Sequence, residues 1–162
     1  MEKAVERRRA EQVRRLLAAE LRPLGFERTK PTFYTTTGEG LVVGFMHIHK
    51  FTFCPGFRAH AGVRVLNDPF EGLALNGPTS SPDNLFGDFL DNDESVAKQA
   101  RLIARWFEKD GLPWVRRALL PGALDDRRAP FEERERQALK EHAQGRPVQE
   151  RLELSRRELG LK

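Results

Sequence analysis

Three of the four histidines in this chain are the residues whose type and spacing best suit chemistry. His47 and His49 are two apart in a strand-like run, so both side chains are expected on one face of a sheet. If residues 51–56 close a hairpin, equal counting from the loop places His47 opposite His60. Imidazoles grouped in this way can ligate a transition metal or help to bind an anion. Whether a metal or an anion is favoured depends on the other charged side chains on the same face of the sheet.

Two arginines are predicted on that same face. Residues 57–66 alternate, with Arg58, His60 and Arg64 on the side opposite the apolar residues. Because the arginine charges repel a cation, we predict neither a metal nor a cofactor there. The predicted ligand-binding face consists of His47, His49, Arg58, His60 and Arg64. Two alternatives stay open, a transition-metal site on the histidines and a plain polar face that is solvated or covered by a helix.

No known catalytic motif accompanies these residues. The sequence has no nucleophile elbow, no HExxH helix, no paired-cysteine zinc pattern and no phosphate-binding loop. The single cysteine, Cys54, precedes Pro55 in a predicted turn, and it needs a neighbouring base before it can act as a nucleophile. An inert, partly buried thiol is the simpler expectation. We predict no catalytic residues, which favours a non-catalytic role without settling whether the protein is an enzyme.

The strands that must position the histidines are predicted from alternation and turn residues. A hairpin joins residues 32–37 to residues 41–50 through Gly38-Glu39-Gly40, and residues 57–66 form the next strand. The register that pairs the histidines also sets Met46 beside Ala61 and Ile48 beside Ala59, pairing large with small.

Helices and one long loop complete the predicted fold. Amphipathic helices are predicted over residues 2–22 and 93–109, the second capped by Asp91 or Asp93, and Pro113 begins a shorter helix. Residues 67–92 carry many turn residues and predict a long loop with one short strand near residues 72–75. The fold class is therefore α+β, an antiparallel sheet of three to five strands packed against N-terminal and central helices. The loop is expected to wall the face that bears the histidines.

The last forty or so residues differ in character, because about half of them are charged and the apolar ones are sparse. Two helices that break near residues 145–147 are predicted. We expect an α+β domain over residues 1–122 and a charged helical appendage over residues 123–162, which either docks on the domain or pairs with a second copy of the chain. The alternative is that Phe131 and Leu139 cover the sheet face bearing Val43 and Phe45.

Composition narrows the range of partners. The 162 residues include 28 basic and 24 acidic side chains, for a net charge of +4. Binding of nucleic acid is favoured by a basic patch on one side of a protein. Here glutamates are interleaved with the N-terminal arginines, so nucleic acid is the weaker candidate partner. No apolar run approaches the length of a membrane span, no secretory signal is recognisable, and one cysteine forms no internal disulfide, so we predict a cytoplasmic protein.

Several short motifs resemble a bacterial family, domain-of-unknown-function family 4304. They are the run Leu24-Gly25-Phe26, the strand Thr32-Phe33-Tyr34 with the hairpin that follows, and the closing run Gly111-Leu112-Pro113-Trp114. The resemblance covers roughly residues 13–120 and implies an α+β fold without implying an activity. At residues 47–50, where members often carry a Gln-Lys-Ser-like stretch, this chain has His-Ile-His-Lys.

These observations favour a non-catalytic binding module for a protein or a small anionic ligand, acting through the His/Arg face. Weak, non-specific binding of nucleic acid is the first alternative. A His-dependent or metal-dependent hydrolase is the second.

Overall fold

The computed structural model describes residues 3–38, 40–81 and 86–162 and has the predicted α+β fold. Within those ranges the strands β1 (Phe26–Lys30), β2 (Phe33–Thr36), β3 (Val42–Lys50) and β4 (Phe57–Val65) form one antiparallel sheet in chain order. The helices are α1 (Lys3–Leu21), α2 (Asp93–Trp106), α3 (Leu112–Leu119), α4 (Glu133–Ala143) and α5 (Gln149–Leu159). Glu2 of the predicted first helix, Glu39 of the predicted turn and residues 82–85 of the predicted loop lie outside the described residues.

Strands β3 and β4 pair in the register expected from the sequence. His47 lies opposite His60, and Met46 lies opposite Ala61. Met46 and Ala61 lie on one side of the sheet, which we call its first face. The pairing of large with small side chains there allows this face to lie close to the helices that pack on it. Alternation and equal counting were sufficient here because a shift of one residue would move every apolar side chain to the other face.

The main core lies between the first face of the sheet and helices α1, α2 and α3. Helix α1 packs against α2, and α3 packs on β3 and β4. The sheet side chains predicted for this face are all buried in one cluster with the apolar stripes of these helices, and they are Met46, Ile48, Ala59, Ala61, Val63 and Val65. Burial of this continuous apolar surface is the dominant stabilising contribution.

The second face of the sheet is partly covered by helix α5. A smaller apolar cluster joins Leu159, which is 0% exposed, to Val43, Phe45 and Leu66. Leu152 and Leu161 pack around it. The sparse apolar residues at the C-terminal end thus bury a narrow stripe on the sheet.

Polar contacts also attach the C-terminal helices to the sheet. The Thr29 hydroxyl donates to the Leu159 carbonyl at 2.5 Å, and Lys30 Nζ donates to the Glu158 carbonyl at 3.0 Å. The Asn67 amide donates to the Ala138 carbonyl of α4 at 3.1 Å. Phe131 and Leu139, considered in the alternative prediction, pack in the main core instead of on Val43 and Phe45. We therefore expect residues 123–162 to unfold together with the sheet.

Some local predictions were wrong. The N-cap of α2 is Asn92, not Asp91 or Asp93, because Asn92 Oδ1 accepts from the Ser95 amide at 2.8 Å in a reciprocal capping box. Strand β1 was not predicted at all, and residues 72–75 form no strand. The helix predicted over residues 93–109 does not end before the one predicted from Pro113, because a widened helical turn over Phe107–Gly111 leads directly into α3.

Residues 76–80 follow the outer side of strand β4. The amide of Ala61 donates to the Pro78 carbonyl at 2.9 Å. The amides of Ala59 and Val63 donate to the side chains of Ser80 and Asn76, at 3.0 and 3.2 Å. The predicted long loop is therefore fixed to the sheet along this segment.

Candidate functional site

The uncovered end of the second sheet face brings the predicted histidines together. We call the surface formed by His47, His49, Arg58 and His60 the histidine face. His49 is exposed, and the other three side chains are half-buried. The rings of His47 and His60 are nearly parallel, with centroids 6.1 Å apart.

Each of these two rings is oriented by a hydrogen bond at Nδ1. His47 Nδ1 lies 3.1 Å from the backbone carbonyl of Thr32. Because a carbonyl only accepts, this nitrogen carries the proton of the neutral ring, and Nε2 carries the lone pair. His60 Nδ1 lies 3.1 Å from the Thr79 hydroxyl, which can donate or accept. Within the described residues, Nε2 of neither ring has a hydrogen-bond partner, so both remain for a ligand.

The two histidines are uncharged at neutral pH. The pKa of His47 is lowered from 6.5 to about 4, chiefly by burial. The hydrogen bond to Thr32 opposes this shift, and the neighbouring His60, His49 and Lys30 contribute to it. Burial and the charge of Arg58 also lower the pKa of His60. Among the residues of the histidine face, the permanent positive charge is that of Arg58.

Arg58 is held by an aromatic ring. Its guanidinium carbon lies 5.4 Å from the centroid of Phe51, a cation–π arrangement. His49 approaches the same ring edge-on, with centroids 5.6 Å apart. Among the described residues, no carboxylate lies within ion-pair distance of Arg58. The guanidinium is thus positioned, and none of the described carboxylates neutralises its charge.

Arg64 occupies a different environment from the other predicted site residues. It lies beneath α5 and is 2% exposed. Its guanidinium donates to the Ser155 hydroxyl at 2.8 Å and to the carbonyls of Asp68, Phe70 and Gly72 at 2.8–3.1 Å. These bonds occupy the guanidinium, so Arg64 links the sheet, the loop and α5 and is not presented to a ligand on the histidine face. Alternation placed it on the correct side of the strand, but alternation does not show what covers that side.

Three phenylalanines of the site were missed by the sequence analysis. Phe33 packs against His47 with ring centroids 4.5 Å apart, and Phe53 lies 5.0 Å from Phe51 and is 80% exposed. Phe33 lies directly opposite His47 in the β2–β3 pairing. Equal counting about Gly40 would have found this pair. No comparable pattern identifies the ring contacts of Phe51 and Phe53.

The remaining candidates for chemistry stay separate from the histidine face. Cys54 is half-buried in the loop between β3 and β4, and within the described residues it makes no hydrogen bond to a histidine. No group of three or more His, Cys, Asp or Glu side chains in the described ranges is arranged to hold a metal ion.

Comparisons with protein-family models, with curated proteins and with solved structures give no match to this chain. The resemblance to family 4304 therefore stays a prediction. None of the helices in the described residues has both the length and the apolar character needed to cross a membrane.

Proposed function

We propose that the protein is a non-catalytic binding module whose histidine face binds a small anion that also carries an N–H or O–H group. The observation that carries this proposal is Arg58, held over Phe51 without a carboxylate partner among the described residues. A phosphate or carboxylate group would supply the missing counter-charge through a charge-assisted hydrogen bond.

The neutral histidines add selectivity to this charge. With its proton on Nδ1, His47 presents a lone pair on Nε2 that accepts a hydrogen bond from the ligand. An anion with no donor group would use Arg58 and leave this acceptor unpaired. The exposed ring of Phe53 offers a further apolar contact for a planar ligand.

A hydrolase has less support from this geometry. A general base works best when its pKa lies near the working pH, and burial holds the pKa of His47 at about 4. Its Nδ1 proton is donated to the Thr32 backbone carbonyl, not to a carboxylate of the kind that supports a catalytic histidine.

The experiment that tests the proposal compares a charged probe with its neutral counterpart. Adenosine 5′-monophosphate and adenosine share the ring and the amino donor but differ in the phosphate. We expect saturable shifts of the His47 and His60 ring resonances in NMR with the monophosphate, and much weaker binding of adenosine. Arg58→Gln should weaken binding of the monophosphate about tenfold, the loss expected for one charged hydrogen bond.

The matched control is Arg101→Gln, which removes an exposed arginine from helix α2 on the other side of the sheet. This variant should bind as the parent chain does. Equal losses in both variants, or no saturation at any site, would reject the proposal.

Single-stranded nucleic acid is the second candidate, and the specific observation in its favour is the 80% exposed ring of Phe53 near Phe51 and Arg58. Exposed rings beside basic side chains can stack successive bases. If this candidate is right, Phe53→Ser weakens binding of an oligonucleotide more than binding of the mononucleotide. The affinity should then fall with a shallow salt slope that corresponds to roughly 3–4 phosphate contacts.

A further inference from the structure

A second cavity lies on the same sheet face, at the end away from the histidines. This cleft, of about 970 Å³, separates strands β1 to β3 from the last two helices. Its volume is at the upper end of the roughly 300–1,000 Å³ found for small-molecule pockets. Val43 in its floor is four residues from His47, or roughly 13 Å along an extended strand, so the cleft and the histidine face are separate sites.

The lining of the cleft combines apolar, hydroxyl and charged groups, and the one carboxylate side chain among its described lining residues is Glu27, on β1. Val43 and Leu66, each 5% exposed, form part of the floor, and Leu152 and Leu161 form the apolar part of the opposite wall. Basic side chains also line it, from Arg156 on α5 and His142 at the end of α4, together with Lys162. An apolar surface with a basic border suits a molecule that has an apolar body and one anionic end.

Two observations indicate that Arg156 and His142 each lack a polar partner among the described residues. Within the described residues, no carboxylate lies within ion-pair distance of Arg156, and Nδ1 of His142 is buried without a hydrogen-bond partner. The charge of Arg156, added to the effect of burial, lowers the pKa of His142, which means that the two groups act on each other. An anion at this place would pair with the charge of Arg156, and the neutral ring of His142 can donate a hydrogen bond to it.

The walls of the cleft are held in place by hydrogen bonds. Ser155, one residue before Arg156, accepts from Arg64 at 2.8 Å and donates to the Leu66 carbonyl at 2.8 Å. At the other end of the wall, Thr29 donates to the Leu159 carbonyl. These hydrogen bonds fix both ends of the space between α5 and the sheet. A ligand can therefore enter the cleft without moving α5 away from the sheet.

We propose that this cleft binds a small amphipathic anion, such as a medium-chain carboxylate, with its chain against the half-buried Leu41, Leu152 and Leu161 and its carboxylate beside Arg156. The site is independent of the function proposed for the histidine face.

The test uses octanoate as the probe and 1-octanol as its neutral match. Octanoate should shift the backbone amide resonances of Thr35, Val43 and Leu161 saturably, and 1-octanol should bind more weakly. Arg156→Gln should weaken octanoate binding about tenfold, whereas Arg157→Gln, an exposed neighbour that does not line the cleft, should change it less than about twofold.

Three results would overturn the proposal: no saturable shift of these amides, equal losses in the two arginine variants, or binding of 1-octanol as tight as that of octanoate. Arg58→Gln separates the two proposals. It should leave octanoate binding unchanged even if the monophosphate proves not to bind the histidine face.

Discussion

Truncation of Leu159 to alanine tests whether the C-terminal helix belongs to the folded core. Leu159 is 0% exposed and packs with Val43, Phe45 and Leu66. Substitutions of buried leucine by alanine cost about 2–5 kcal/mol, partly for lost transfer energy and partly for the cavity left behind. We expect a loss of about 3 kcal/mol in the free energy of unfolding for Leu159→Ala, or roughly 6–12 °C in Tm at this chain length.

The assay is urea unfolding followed by circular dichroism, with calorimetry as a second observable. The matched control is Leu120→Ala, because Leu120 is 61% exposed and its loss should cost less than about 0.5 kcal/mol. The transition of Leu159→Ala should stay single. The same reasoning predicts that a chain ending at Pro121 loses cooperative unfolding, because Val43, Phe45 and Arg64 would lose the groups that cover them.

The opposite result would refute the reasoning. If α5 is an appendage, Leu159→Ala frays only that helix and leaves the midpoint of the main transition within about 0.5 kcal/mol of the parent chain. A truncated chain that melts as cooperatively as the full chain would lead to the same conclusion, and residues 123–162 would then be a separate unit.

Three further substitutions test other contacts in the fold. Because the pKa of His47 is lowered to about 4 in the folded chain, the unfolded chain binds more protons between about pH 4 and 6.5, and the stability falls as pH falls through this window. His47→Gln should therefore reduce the difference between the urea midpoints measured at about pH 7 and about pH 4.5. An unchanged difference would contradict this assignment. Arg64→Met should lower the free energy of unfolding by about 3 kcal/mol or more in chemical denaturation, because it removes a buried, hydrogen-bonded charge. If the loss is no larger than that of the exposed-site control Arg101→Met, the buried network contributes little to stability. Gly62→Ala should cost about 1–3 kcal/mol by calorimetry, since an added Cβ would lie 2.3 Å from the Phe45 ring, and an unchanged Tm would show that the ring moves aside at no cost.

Patterns within short stretches of the sequence predicted how β3 pairs with β4. Strand alternation and equal counting gave the register that sets His47 opposite His60. The histidine face followed from it, since two strands of known register place their side chains without further information.

The features that the sequence patterns did not predict depend on contacts between segments that are far apart in the chain. Strand β1 has Phe26 as its one strongly apolar residue and depends on β2 and on the end of α5 for its place. The covering of Arg64 by Ser155 joins residues 91 positions apart, and no periodicity encodes such a contact. The cleft was missed for the same reason, because its two walls come from opposite ends of the chain.

The segment that follows the outer side of β4 has a consequence for association between molecules. A strand added from another chain would need the outward amides of Ala59, Ala61 and Val63, and all three already donate to residues 76–80. Pro78 accepts one of these bonds but has no amide proton of its own to continue a ladder. Sheet extension through this edge is thus blocked before a second molecule arrives, which protects the chain from edge-to-edge aggregation. Self-association, where it occurs, must use a side-chain surface or the edge formed by β1.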